Sequence, residues 1–347
     1  RFWTGSDLMH GYLVGFLYWV GIALGCISLT CLHNLVGGGW GMAIRRPLEA
    51  GAMVILPLAL LFLPILIGAK ALYPWVNPGP ELARAIAHKA GYLSVGGFGL
   101  RALVYFVLWG GLAVLLNRFS AAQDQTENPR PTEWMQAISG PGLGLMFLTG
   151  SFAAIDWGMS LEPEWYSTIY GAMVIVGWGL TTFAMMVLIT GYLAQYEPEM
   201  ASAVSAERLN DIGNLMMAFV MLWAYMSFSQ YLIIWAGNLT EEIPWYLKRS
   251  GGGWKTVVMI LMVFHFFAPF LVLLYKETKR KFRTLMTIAA VVALVHLLDM
   301  MWLVLPAVIE DPLQPYFTWG SLFVALIAWV GIGGICLGCF LWFLERK

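Results

Sequence analysis

Apolar residues run along this chain in long blocks, and polar residues collect in the short segments between them. A block of about twenty apolar residues predicts a helix that crosses a bilayer, because that length spans the hydrocarbon core. The connecting segments are short, so consecutive helices are expected to pack antiparallel. The pattern predicts nine spans, at residues 8–32, 48–72, 91–117, 139–160, 167–194, 211–237, 255–275, 284–305 and 317–344.

Composition supports the same class of protein. Hydrophobic residues make up 60% of the chain and charged residues 12%, and the mean hydropathy is +0.73. We therefore predict an all-α, polytopic transmembrane protein with residues 1–347 in one transmembrane domain. The formal net charge is zero, so nothing in the charge favours a nucleic-acid partner. The chain begins at Arg1 rather than Met, from which we expect a missing N-terminal segment and a tenth span in the full-length protein.

Lysine and arginine are distributed unequally between the two predicted faces of the membrane. The face with the basic turn 276–283 carries more of them than the other, and it also carries the predicted loop 37–47. Basic residues concentrate in the cytoplasmic loops of membrane proteins. We therefore expect these two loops to be cytoplasmic, in a multi-pass protein of the bacterial inner membrane.

Two ionisable residues lie in the middle of the span at 284–305. His296 and Asp299 are three residues apart, which places them next to each other on one face of a helix. His265 is at about the same depth in the preceding span. Burying an ionisable side chain at membrane depth costs free energy. The presence of these three residues there therefore favours a functional interpretation.

Further polar residues within the spans extend this group. Histidine and carboxyl groups whose protonation is tuned by burial and by neighbouring charges can pass protons along a chain of residues and waters. We hypothesise a proton path, or half-path, and predict no catalytic residue in this chain. The candidate path residues are Asp156, Arg101, Tyr105, Tyr225, Gln230, His265, His296 and Asp299. The alternative is two static buried pairs, Arg101 with Asp156 and His296 with Asp299.

The segment 156–170 is acidic and aromatic. It contains Asp156, Glu162 and Glu164 among tryptophans and tyrosines, and it has no Lys or Arg. Such a turn could be a docking rim for a partner, the outer mouth of a proton path, or simply a solvated acidic turn. The sequence leaves these three interpretations open.

The sequence predicts no resident cofactor or metal in this chain. A four-helix b-type cytochrome needs paired histidines on two spans, and that pattern is missing, although His265 and His296 could still clamp a single haem. Cys336 and Cys339 have metal-like spacing but no second pair nearby, so they are interpreted as packing residues. No local pattern decides whether a quinone site is present.

Several segments resemble one known family. They are Arg1-Phe-Trp3, YWVGIALG at 18–25, GGGWGMAIRRPLEA at 37–50, LYPW at 72–75 and SLEPEWYSTIYG at 160–171. The chain is similar to the ActF-type membrane subunit of alternative complex III, a bacterial quinol:electron-acceptor oxidoreductase, within the NrfD-like integral membrane proteins. The resemblance implies two four-helix bundles, here at residues 8–160 and 167–305, with 317–344 as a peripheral span.

The resemblance also implies partners and a role. The partners would be the subunits ActA, ActB, ActC, ActD and ActE, which contribute haem c and iron–sulfur clusters, together with membrane lipid and quinol or menaquinol. This chain would be a cofactor-free subunit that scaffolds the complex and conducts protons. Two alternatives remain: a quinone-binding subunit of the same complex, and a secondary transporter with its polar residues at a substrate site.

Overall fold

The computed structural model describes residues 5–198, 204–309, 311–313 and 316–346, and these residues form helices and turns without a strand. The resembling residues Arg1, Phe2 and Trp3 lie outside the described part. Within it, nine helices are long and apolar enough to cross a membrane, which confirms the predicted all-α polytopic class. They are α1 (Gly5–Val36), α2 (Gly39–Ile67), α3 (Val95–Asp124), α4 (Arg130–Leu161), α5 (Tyr170–Leu193), α6 (Ala206–Gly237), α7 (Trp254–Leu274), α8 (Phe282–Val308) and α9 (Trp319–Leu344).

Short helices cover the two ends of the molecule. The face that carries the turn 158–169, here called the turn face, also holds the helices Pro80–Ala85 and Ile243–Ser250. No residue of Pro80–Ala85 is buried, and His88 beside it is exposed. The opposite face, here called the basic face, holds the helix Lys276–Arg280.

Helix α2 begins earlier than the apolar pattern predicts. Its first turns contain Arg45, Arg46 and Glu49, so the predicted loop at 37–47 is wrong from Gly39 onward. The carboxylate of Glu49 accepts from Arg45 Nε and Arg46 Nη1, each at 3.0 Å, and from Ser120 of α3. These pairs within and between helices neutralise the charges, which allows polar residues to occupy a helix that a hydropathy pattern would end.

Helix α1 forms the centre of the molecule. It is apolar all round and almost completely buried, because α2, α4, α5, α8 and α9 all pack against it. Helices α1–α4 contact one another, α5–α8 contact one another, and α1 and α5 join the two groups. His296 and Asp299 in α8 and Asp156 in α4 therefore lie in helices that pack directly on this central pair.

Two of the glycine pairs in α1 allow very close helix contacts. A Cβ on Gly15 would lie 2.8 Å from the backbone of Trp329 in α9, and one on Gly25 would lie 2.0 Å from the Thr182 hydroxyl in α5. The spacings Gly11/Gly15, Gly21/Gly25, Gly140/Gly144 and Gly334/Gly338 in the sequence predict close helix contacts through small residues. The first two pairs make such contacts, whereas a Cβ on Gly140 would meet only Leu35 at 3.9 Å and one on Gly144, Gly334 or Gly338 would meet nothing within 4 Å.

Candidate functional site

A cluster of two imidazoles, one carboxylate and one indole lies inside the second group of helices. His296 and Asp299 of α8 are one helical turn apart, and His296 Nδ1 is 3.5 Å from Asp299 Oδ2. Trp223 of α6 donates its indole N–H to the same oxygen at 3.1 Å. The side chain of His296 is fully buried and that of Asp299 is 6% exposed. We call His265, His296, Asp299 and Trp223 the histidine cluster.

His265 enters this cluster from an irregular part of α7. Residues Leu261–Phe267 form a π-helical segment, a rare conformation that is frequent at functional sites because it redirects side chains. The His265 ring lies 5.7 Å from that of His296 and nearly parallel to it, and it meets the Trp223 ring edge-on at 4.3 Å. The expectation that His265 and His296 lie at the same depth is confirmed by this contact.

The imidazoles of the histidine cluster are buried with unused hydrogen-bonding capacity. Neither ring nitrogen of His265 has a hydrogen-bond partner in the described part of the chain, and His296 has only its 3.5 Å approach to Asp299. Buried polar groups are nearly always paired in native proteins, so unpaired ones need a specific explanation. An imidazole that exchanges protons provides one, because its nitrogens must be able to change partners.

Two neighbours fix the position of His296. A Cβ built on Gly177 of α5 would lie 2.8 Å from His296 Cε1, so only glycine leaves room for the ring. Tyr18 of α1 packs its ring 5.8 Å from the imidazole and donates its hydroxyl to Ala293 O at 3.0 Å. The cluster is therefore held at the junction of the two helix groups.

A second cluster lies in the first helix group and is fully paired. Arg101 donates through Nε and Nη2 to the two oxygens of Asp156, each at 2.9 Å, and the Tyr105 hydroxyl donates to Asp156 Oδ2 at 2.9 Å. Tyr92 covers the guanidinium at 3.8 Å. Such a bidentate pair is strong and geometrically fixed. The Arg101–Asp156 pair of the alternative interpretation is present, as is the His296–Asp299 contact. Among the described residues no hydrogen bond joins this cluster to the histidine cluster.

The remaining predicted path residues are both on α6 but do not meet either cluster. Tyr225 is 66% exposed on the outer surface of the helix, where lipid or a partner would contact it. Gln230 is buried and accepts from the Ser167 hydroxyl at 3.3 Å, near the turn face. The sequence places both on one helix but does not determine which side of that helix faces inward.

The acidic turn has basic partners that sequence reasoning missed. Glu162 pairs with Lys248 Nζ at 3.0 Å and Arg249 Nη2 at 2.6 Å, both from the helix Ile243–Ser250. Burial pushes the pKa of Glu162 up, but the charges of Arg249 and Lys248 outweigh it and lower that pKa below its ordinary value. The interpretation of Glu162 as a solvated acidic residue is therefore wrong. The partners are distant in sequence, and only the adjacent pair Lys248-Arg249 on an amphipathic helix could have suggested them.

Two of the cavities among the described residues differ in character. A polar cavity of about 750 Å³ opens at the turn face and is lined by Glu162, Glu164, Lys89 and Lys248 among others. An apolar slot of about 270 Å³ lies between α1, α4, α5 and α6, with Trp178 and Phe219 in its wall. Among the described residues no group of three or more His, Cys, Asp or Glu is arranged to hold a metal ion.

Comparison of the chain with protein-family models and with curated proteins gives no match.

Proposed function

We propose that this multi-pass membrane chain conducts protons part-way or fully across the bilayer as a subunit of a quinol-oxidising electron-transfer complex. The observation that carries the proposal is the histidine cluster. Two buried imidazoles with unpaired nitrogens stand beside a carboxylate in the middle of the membrane-spanning helices. A purely structural role would be expected to leave such groups saturated, as Asp156 is in the other cluster.

The proposed path is confined to His265, His296 and Asp299. Protons would move between imidazole nitrogens and the Asp299 carboxylate, with Trp223 holding that carboxylate in place by its indole N–H. Arg101, Tyr105 and Asp156 are proposed to stabilise the first helix group, because every charged atom of that pair already has a partner. The contrast between the saturated and the unsaturated cluster supports this division.

The complex proposed is of the alternative complex III type, on the basis of the resemblance at 37–50 and 160–171. In that setting haem c and iron–sulfur clusters belong to partner subunits, quinol or menaquinol is the electron donor, and this chain holds no redox cofactor. The excess of Lys and Arg at the basic face supports a cytoplasmic location for that face in a bacterial inner membrane.

A quinone-binding role is the second candidate. The apolar slot between α1, α4, α5 and α6 favours it, because quinones occupy apolar clefts open to lipid. The slot contains few polar groups, whereas a quinone headgroup that exchanges protons needs a hydrogen-bonding residue beside it. The slot therefore suits a hydrophobic tail better than a reactive headgroup.

The proposed complex is tested by purification from native membranes. A tag on this chain should retain c-type haem absorbance and quinol oxidation activity through gentle detergent extraction. A chain that purifies alone, without haem and with transport of a small solute, would contradict the proposal.

The proton path is tested by the variant Asp299→Asn in the purified complex, reconstituted into vesicles. The amide keeps the shape and still accepts from Trp223, so assembly should be unaffected while protons moved per electron decrease. Asp211→Asn, which changes a carboxylate near the start of α6, is the matched control. An unchanged proton-to-electron ratio in Asp299→Asn would remove Asp299 from the path.

A further inference from the structure

The half of the second helix group nearest the basic face lacks groups that could relay a proton. Residues 181–191, 212–222, 268–274 and 284–295 are all described, and they contain no Asp, Glu, His, Lys, Arg, Tyr or Cys. The hydroxyls of Thr181 and Thr182 donate to carbonyls of their own helix, at 2.9 and 2.8 Å. The Thr190 hydroxyl in the same half is buried without a hydrogen-bond partner in the described part of the chain, and no titratable side chain of these ranges connects it to the histidine cluster.

The contact between α5 and α8 in this half is also tight. Leu285, Ala289 and Val292 of α8 are completely buried. A Cβ on Gly191 of α5 would lie 2.6–2.9 Å from Met286 and Phe282, which shows how closely α5 and α8 approach each other near the basic face. Close packing of this kind leaves little room for a chain of waters.

The half nearest the turn face has the opposite character. One turn beyond Asp299, the carbonyl oxygen of Leu303 accepts from Arg249 Nη2 at 2.9 Å. Tyr170, at the start of α5, is buried and interacts electrostatically with Asp299, Arg249 and Glu162. Polar and ionisable groups thus continue from the cluster toward this face.

Arg249 closes that end of the helix group. It is 1% exposed, stacks on Trp245 at 3.9 Å and donates to the Trp245 carbonyl, and its Nε has no hydrogen-bond partner in the described part of the chain. Its ion pair with Glu162 joins the helix Ile243–Ser250 to the turn 158–169. Beyond this pair lies the polar cavity, which Glu162 and Lys248 line.

From this asymmetry we infer that the histidine cluster exchanges protons with the turn face alone, and that the Arg249–Glu162 ion pair is the gate between the cluster and the polar cavity. The inference rests on the proposed function and specifies the face of the membrane with which protons are exchanged. A proton leaves the imidazolium or the carboxylic acid of Asp299 for water in the cavity when the pair separates, and it enters in reverse. No electron or other group is transferred in this step.

The groups around the cluster determine its pH response. Around His296 and Asp299 lie His265 from α7, Tyr18 from α1, Tyr170 from α5 and Arg249 from the helix Ile243–Ser250, while α6 contributes the uncharged Trp223. Arg249 is the one permanent cation of this set. Its charge opposes the arrival of a proton, so we expect exchange to need displacement of Arg249 away from the cluster, which breaks its ion pair with Glu162.

The inference is tested on the full complex in native membrane vesicles of both orientations. The pH is stepped on one side, and infrared difference spectra follow the carboxyl band that is lost in Asp299→Asn. The band should change before protons leak across the membrane only when the pH is stepped on the side of the turn face. A step on the side of the basic face should change the band only after protons have leaked across. An ionophore that equilibrates both sides should abolish the difference between orientations.

The gate is tested by Glu162→Gln, with Glu164→Gln as the matched control. Glu164 lines the same cavity but lies outside the ion pair. Glu162→Gln should accelerate the turn-face response at least about tenfold, because it removes a charge-assisted hydrogen bond that must break for opening. Glu164→Gln should leave the rate unchanged.

The outcomes separate the two proposals. A band that responds equally to steps on either face overturns the one-sided path, and equal rates in Glu162→Gln and Glu164→Gln overturn the gate. A cluster whose bands respond to neither step, even with ionophore, overturns the proposed proton function itself.

Discussion

Replacing Gly177 with alanine tests whether the position of His296 matters. A Cβ at this position would lie 2.8 Å from His296 Cε1 and 3.4 Å from its Nδ1, closer than such atoms normally approach. The imidazole has little freedom to retreat, because Tyr18 and His265 lie on its other sides with ring centroids 5.8 and 5.7 Å away. The added methyl group should therefore push His296 away from Asp299.

The magnitude follows from two opposed terms. Alanine in a helix interior is favoured over glycine by about 1 kcal/mol. Overpacking a buried site costs about 1–3 kcal/mol, and the rigid ring places this site toward the upper end. We expect Gly177→Ala to lower the free energy of unfolding by about 1–2 kcal/mol, the difference between these terms.

Gly144→Ala provides the matched control. A Cβ on Gly144 of α4 meets nothing within 4 Å, so this variant measures helix propensity without steric cost. Equilibrium unfolding in mixed detergent micelles gives the free energy for both variants, and the proton-to-electron ratio of the reconstituted complex gives the functional effect. Gly177→Ala should lower both quantities, and Gly144→Ala should lower neither. The reasoning would be refuted by a Gly177→Ala protein as stable and as well coupled as the control.

Two further predictions concern charged pairs. Asp156→Asn should lower the free energy of unfolding by about 3 kcal/mol because Arg101 loses its bidentate partner, with an unchanged proton-to-electron ratio; a decreased ratio would place Asp156 in the path. Because the folded-state pKa of Glu162 is lowered, its ionised carboxylate stabilises the folded protein fully at pH values above its ordinary pKa of 4.5. This stabilisation is lost as the pH falls through the lower folded-state pKa. The stability difference between the native chain and Glu162→Gln should therefore shrink below that pH in unfolding titrations, and a difference that grows there would contradict the sign.

The membrane-spanning helices and the central pair of the histidine cluster could be predicted from the sequence for simple reasons. Apolar runs of bilayer length have few other uses, and residues three apart on a helix are always neighbours. The predicted start of α2 lies after the start seen in the structure, because Arg45 and Glu49 are polar in the sequence but neutralise each other in the fold.

The rest of the site depends on contacts between distant segments. Trp223, which binds Asp299, is one of 17 tryptophans, and nothing near it distinguishes it from the others. Arg249 reaches Glu162 only because the helix Ile243–Ser250 folds back over the turn. Tyr225 faces outward, and the sequence did not predict this because apolar residues lie on nearly all sides of α6 and do not mark the side that packs inward.

The contact between α1 and α9 has a consequence for the order in which the protein assembles. Gly11 and Gly15 form a shallow groove that the backbone of α9 and the side chain of Val324 fill, and α9 is synthesised after nearly all of the described chain. Until α9 has been inserted, lipid tails must occupy the groove, and one face of α1 remains exposed to lipid. Translation that stops before Trp319 should therefore leave a protein whose other helices have inserted but whose central helix remains open to degradation by membrane proteases.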